Sequence, residues 1–278
     1  MTSLRAELLK LRKRPAVWIL SLAMLLVVGL FGYVFLYTVV TQMPPEASAG
    51  MDRLLILETV SPANLPGHVL SMVASFGTAF GLILGALAVG SEFNWHTVKT
   101  IATQGPRRVA LMAGRSGALL IVALTMALMA FAGGAAGTWA ITLLEPIDAT
   151  PPAAAEFAGA VGAAVLIIAL WCAIGAMLAM VLRGTGWAIG IGLLYALVVE
   201  QVLGGLVPLR GRAGELLDQA LIGNNVTALV SWLSSEASQA MVGATVEIAP
   251  LQAALVLAGY LALAVAVATV VFVRRDIA

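Results

Sequence analysis

AVWILSLAMLLVVGLFGYVFLYTVV, residues 16–40, contains no Asp, Glu, Lys, Arg or His. A helix needs about 20 apolar residues to cross the hydrocarbon core of a bilayer, and this stretch exceeds that with no charge to interrupt it. It is too long for the apolar core of a cleavable signal peptide and lacks a convincing cleavage site, so it reads as a retained anchor. The same signature recurs downstream near 68–90, from 116 to about 144, and at 157–182, 187–207 and 251–273, giving six spans.

Composition agrees with that count. The chain of 278 residues is 61% hydrophobic and 10% charged, with a mean hydropathy of +1.02. An ordinary soluble domain carries roughly 25% charged residues. A soluble core cannot hide this much apolar surface, so lipid is the solvent for most of the chain. The expected fold class is all-α, a polytopic membrane bundle of six transmembrane helices forming a single transmembrane domain over residues 1–278.

The net charge of +1 says little, but the placement of the charges sets the orientation. Arg5, Lys10, Arg12, Lys13 and Arg14 precede the first span, and Lys99, Arg107, Arg108 and Arg115 follow the second. Arg183 separates spans four and five, and Arg274 and Arg275 close the chain. Twelve of the 15 basic residues thus fall on one side, leaving Arg53, Arg210 and Arg212 on the other. Short loops rich in Lys and Arg stay cytoplasmic, so both termini are expected in the cytoplasm and the chain in the cell membrane. No nucleic-acid partner is expected.

The segments outside the spans differ in character. Leu4, Leu8 and Leu11 recur at helical spacing among Arg5, Glu7, Lys10, Arg12, Lys13 and Arg14, which describes a basic amphipathic helix over 1–15 suited to the headgroup plane. Pro15 breaks it before the first span. Met43–Gly50 and Pro146–Pro152 read as turns. The longest outer segment, 208–250, carries apolar residues at helix-like spacing: Leu216, Leu217, Leu221 and Ile222, then Val226, Leu229, Val230, Trp232 and Leu233. Asn224 and Asn225 separate the two clusters and suit a turn or cap. Two short helices dipping into the membrane and a plain amphipathic surface loop both fit this pattern.

Between spans two and three the chain runs SEFNWHTVKTIATQGPRR, residues 91–108. Val98 and Ile101 form a small apolar face on a short polar helix that Gly105-Pro106 ends. Such a ridge projecting into the cytoplasm suits docking to a partner; an ordinary basic loop is the alternative.

The order of these features resembles the permeases of the type-2 ABC exporters. The carriers of the resemblance are the basic helix ending at Pro15, the Glu-x4-Thr-Val-Lys run from Glu92 to Lys99, and Gly105-Pro106-Arg107-Arg108. Tyr195–Leu203, with Glu200, is similar to the end of that family's fifth span. The resemblance implies an elbow helix at 1–15, a cytoplasmic coupling helix at 92–108, and an extracellular segment at 208–250 with short re-entrant helices. It further implies that Glu92, Thr97, Val98, Lys99, Ile101, Arg107 and Arg108 dock a cytoplasmic ABC ATPase present in two copies. A second permease chain, the same or homologous, would complete the transporter.

Within the spans, Glu200 is the one clear intramembrane charge, either a pathway residue or a structural hydrogen-bond partner for the outer loop, with Arg210 or Arg212 as candidate partners. Gly77, Gly81 and Gly85 make a smooth stripe on span two, suited either to packing within one subunit or to a sliding surface at a pathway. Gly133 with Gly137 is a single instance of the same spacing. Trp18, Trp139 and Trp187 fall near span ends as interfacial anchors, and Trp171 is a packing residue.

Several chemistries are missing. A nucleotide-cradling loop needs glycine before Lys-Ser or Lys-Thr, yet Lys99-Thr100 follows Val98 and has no nearby preceding glycine, so ATP would be bound by the partner subunit. No cofactor is expected, no His, Cys or Glu cluster has metal-ligand spacing, and Cys172 is alone. His68 and His96 lie at the edges of apolar runs, which argues against a haem pair. The expected function is export of an amphipathic or lipid-like substrate, though polysaccharide permeases share the layout. An ion-coupled carrier or a subunit of a multi-span membrane enzyme is the alternative, the first being disfavoured by the lone Glu200.

Overall fold

The computed structural model describes residues 3–42, 57–94, 108–145, 147, 149–206, 214, 216, 219–234 and 248–274, and these contain helices and no strand. The first helix is α1 (Ser3–Arg12). Six apolar helices follow that are long enough to cross a membrane: α2 (Pro15–Val39), α3 (Leu65–Ser91), α4 (Val109–Leu144), α5 (Ala154–Leu182), α6 (Thr185–Gly204) and α8 (Pro250–Arg274). Between the last two lies α7 (Ile222–Leu233). The expected all-α membrane bundle is the observed fold.

Backbone chemistry explains the helix boundaries. Arg14 is extended, as the residue before a proline must be, and Pro15 opens α2 where its missing N–H costs nothing. Trp18 Nε1 donates to Arg12 O at 2.8 Å and bridges that joint. At the same end of the bundle, α5 stops at Arg183, whose φ of 54° is left-handed, and extended Gly184 starts α6 after a minimal turn.

The helix α5 is the centre of the bundle. Of its most apolar stretch 61% is buried, against 22% in α6 and in α8. Close approach to α5 is made through glycine. A side chain at Gly85 would strike Cys172 O, and one at Gly175 would strike Leu82 O, while one at Gly81 would lie 2.9 Å from Ile168 O. The helices α2 and α4 meet in the same way, Gly133 lying against Leu25 O. In hydrocarbon, where no hydrophobic effect drives helix association, such backbone proximity supplies the dispersion energy.

Three spans contain π-helical turns, at Val28–Phe35, Val73–Gly77 and Tyr195–Val199. A π turn displaces the carbonyl ladder and often sits where a helix meets a specific partner. In α2 the carbonyl of Gly32 accepts from His68 Nε2 at 2.8 Å, and His68 packs edge-on against buried Tyr33 with ring centroids 4.9 Å apart.

Three features differ from the sequence reading. The third span begins earlier than residue 116, so Arg115 is part of a helix and buried, not part of the cytoplasmic loop. The second span begins earlier, at Leu65, which puts His68 in the first turn of α3 with its polarity absorbed by the Gly32 carbonyl. Asn224 and Asn225 do not separate two helices: both lie in the first turn of α7. The fully buried Asn225 amide donates to Leu221 O and Gln219 O, at 2.7 and 2.8 Å, so the side chain satisfies carbonyls just ahead of the helix. Most of the remaining 208–250 segment lies outside the described residues, as does 43–56.

Candidate functional site

Of the residues assigned to the docking helix, Thr97, Val98, Lys99, Ile101 and Arg107 lie outside the described residues. Glu92 belongs to the helix that ends at Asn94, and Arg108 opens the helix that ends at Leu144. The site is therefore best built from the two roots of this segment and from what holds them.

Both roots are held by α1 and the residues just after it. On the first root, Arg14 Nη1 donates to Leu87 O at 2.8 Å and reaches Ala88 O at 3.3 Å. These carbonyls lie about one turn before Glu92, and a cation near the end of a helix complements its negative pole. On the second root, Ser3 Oγ donates to Ala110 O at 2.7 Å. Glu7 Oε1 meets Arg115 Nη2 at 3.7 Å, and Glu7 Oε2 meets Lys10 Nζ at 3.4 Å. The close fit needs Gly114, where a side chain would collide with Ser3 Oγ. A third contact comes from the turn after α5: a side chain at Gly90 would strike Thr185.

The electrostatics of this junction are those of a crowded, poorly hydrated site. Lys10, Arg14 and Arg115 gather around the carboxylate of Glu7. Burial is the main cause that pushes Lys10 down from 10.5 to about 8; the Arg115 guanidinium adds to this and Glu7 opposes it. Burial likewise lowers the Arg14 value, with Glu7 pulling the other way and Arg115 adding to the decrease.

The helix α1 does not bury the pure leucine stripe read from its sequence. It buries Leu11 and Glu7, while Leu4 stays partly exposed. Glu7 was the one acid in a basic tail, and that isolation was the available signal. Its partner lies 108 positions away in sequence and could not be read from spacing.

The other singled-out residues occupy separate places. Gly77, Gly81 and Gly85 face α5, where a side chain would meet Ile168, Trp171 or Cys172 within the same chain. Trp171 is buried, and Trp18, Trp139 and Trp187 are exposed on the outside of the bundle. Glu200 directly follows the third π turn and is buried. Its Oε1 accepts from Gly223 N at 2.6 Å, and the Ile222 N–H also points to it. Glu200 thus caps the positive end of α7, while Tyr260 Oη on α8 donates to Ala220 O at 3.0 Å. Among the described residues no group of His, Cys, Asp and Glu could hold a metal ion.

Residues 3–199, from α1 to the third π turn, match the family model described as "ABC-2 family transporter protein". No curated protein matches the chain.

Proposed function

The chain belongs to the ABC-2 transporter family, and from this premise we propose that it is the permease subunit of an ATP-driven exporter. Family membership makes it a multi-pass membrane component of an ABC transporter with a nucleotide-binding partner, not itself an enzyme. The finer reading is that residues 92–108 dock two copies of a cytoplasmic ATPase, and that a second permease chain completes a pathway along a twofold axis. Closure of the ATPases on ATP then displaces the 92–108 segments and tilts the spans, opening the route outward.

The observation that carries this reading is the staple around the segment. Arg14 grips the end of α3, and Ser3 and Glu7 grip the start of α4. A force applied to 92–108 enters a junction in which α1, α3 and α4 are tied together, and α2 continues from α1 through Pro15 and Trp18. The mostly apolar interior supports an amphipathic or lipid-like cargo.

The test is a photo-crosslinking amino acid at Val98 or Ile101 in membranes that also contain the partner ABC ATPase. The reading expects an adduct with the ATPase, and ATP-dependent export in proteoliposomes that Arg107→Glu with Arg108→Glu abolishes. Absence of the adduct with transport intact would overturn the docking role.

A further inference from the structure

An unbroken α-helix would bond the Leu36 N–H to Gly32 O, four residues back. In α2 that N–H is turned instead to Tyr33 O, at the close of the π turn that spans Val28–Phe35. Gly32 O accepts from His68 Nε2 of α3 at 2.8 Å. One carbonyl thus has two rival donors, one along its own helix and one from the neighbouring span.

The surroundings are fitted to the second donor. A Cβ at Gly32 would lie 3.3 Å from His68 Nε2 and 3.2 Å from Met72 Cγ, so α3 approaches α2 here over glycine. Tyr33 is fully buried, packs edge-on against His68, and fills a notch on α4 where a side chain at Gly137 would strike its ring. Beyond the π turn, Tyr37 Oη donates to Glu145 Oε1 at the end of α4, at 3.2 Å. Further along α3 lies its own π turn, Val73–Gly77, and the two turns meet through Phe31 and Phe76, whose ring centroids are 6.4 Å apart.

We propose that His68 is a positioning residue: by holding Gly32 O it keeps α2 in its π form and sets the direction in which the outer end of that helix faces. When α3 withdraws, Gly32 O returns to the Leu36 N–H and the turn tightens to α-helix. The part beyond it then turns about its axis by up to about 100°, one residue step, which carries Tyr37 off Glu145. The two forms exchange one hydrogen bond for another, so a displacement of α3 decides between them. The switch itself needs only the geometry of α2 and α3. Its use in export rests on the exporter reading, in which α3 is a span that the 92–108 segment displaces.

The test is a spin-label distance in the full chain in nanodiscs, between Thr38→Cys and Leu143→Cys, with Leu26→Cys and Leu128→Cys as a control pair on the inner side of the π turn. These four positions are exposed and the native Cys172 is buried. His68→Phe keeps a ring against Tyr33 and removes the donor. A second distance, shifted by about 5 Å (the radius of a helix with its side chains), is expected to gain about two- to tenfold in population, with the control pair unchanged. His68→Gln keeps a donor and is expected to hold the wild-type distance. Leu36→Pro removes the rival donor and clashes with Gly32 O in the α form, so adding it to His68→Phe is expected to restore the wild-type distance. An unchanged distance in His68→Phe, an equal shift in His68→Gln, or a control pair that moves as far would each overturn the proposal. In proteoliposomes with the partner ATPase, His68→Phe is expected to hydrolyse ATP yet lose most of its export. Wild-type export alongside the shifted distance would remove the switch from transport and leave the docking of 92–108 standing.

Discussion

Glu7 on α1 and Arg115 on α4 form an ion pair 3.7 Å apart, with only 7% and 5% of their surfaces exposed. Lys10 approaches the second carboxylate oxygen of Glu7, and Arg14, one turn further on, reaches the end of α3. The amphipathic N-terminal helix is therefore locked to the helices that bracket residues 92–108, and does not merely rest on the membrane surface.

Removing one member of a buried ion pair is destabilising, by up to about 3–5 kcal/mol. Glu7→Gln and Arg115→Gln are expected to lower the thermal unfolding temperature of the purified chain. The double exchange Glu7→Arg with Arg115→Glu is expected to recover part of the loss. A double-mutant cycle with no coupling between the two positions would remove the staple from the account.

Lys10 supplies a pH test. Its docked-state value of about 8 lies below the ordinary 10.5, so the protonated amine opposes docking of α1. Below about pH 8 both docked and undocked states are protonated, and the burial penalty is fully felt. Between 8 and 10.5 the docked state sheds its proton first, so docking strengthens as pH rises. Amine-reactive labelling of Lys10 is expected to titrate near 8; a midpoint at the usual lysine value would show an undocked helix.

The glycines of α3 predict a contrast. Gly85→Leu pushes a side chain into Cys172 O, and Gly81→Leu into Ile168 O, so each forces α3 away from α5. Overpacking of this kind costs about 1–3 kcal/mol or more. Gly259→Ala on α8 meets nothing within 4 Å and is expected to be neutral or to gain up to about 1 kcal/mol from helix propensity. Thermal unfolding of the three variants side by side measures the contrast, and equal effects would contradict the packing of α3 on α5.

Glu200 predicts a local effect on the outer side. Glu200→Gln keeps an acceptor for Gly223 N but loses the charge facing the end of α7, a loss of about 0.3–1 kcal/mol, rising to about 2 kcal/mol at a partly buried site. Glu200→Ala removes the cap altogether. Hydrogen exchange over 222–226 is expected to quicken in the order wild type, Gln, Ala. Unchanged exchange would separate Glu200 from α7.

Sequence and structure differ in an instructive way. All six spans were legible because lipid demands long uninterrupted apolar helices, a constraint visible in residues 16–40 alone. Arg115 was read as the end of the basic segment after the second span; its pairing with Glu7, 108 positions away, is a contact that spacing could not show. Asn224 and Asn225 looked like a break because asparagine usually is one, yet the Asn225 amide satisfies carbonyls ahead of the helix and lets α7 begin at Ile222. Glu200 was read as able to bond the outer loop, with Arg210 or Arg212 as candidate partners. The bond observed in the structure runs to backbone amides of α7, which spacing could not single out.

The central claim is that residues 92–108 lie in the cytoplasm, where an ATPase can grip them. Cys172 is the single cysteine and is buried, so Thr97→Cys gives a clean site for a membrane-impermeant maleimide. The account predicts labelling in inside-out vesicles and none in intact cells. Labelling of Thr97→Cys from outside intact cells would contradict it.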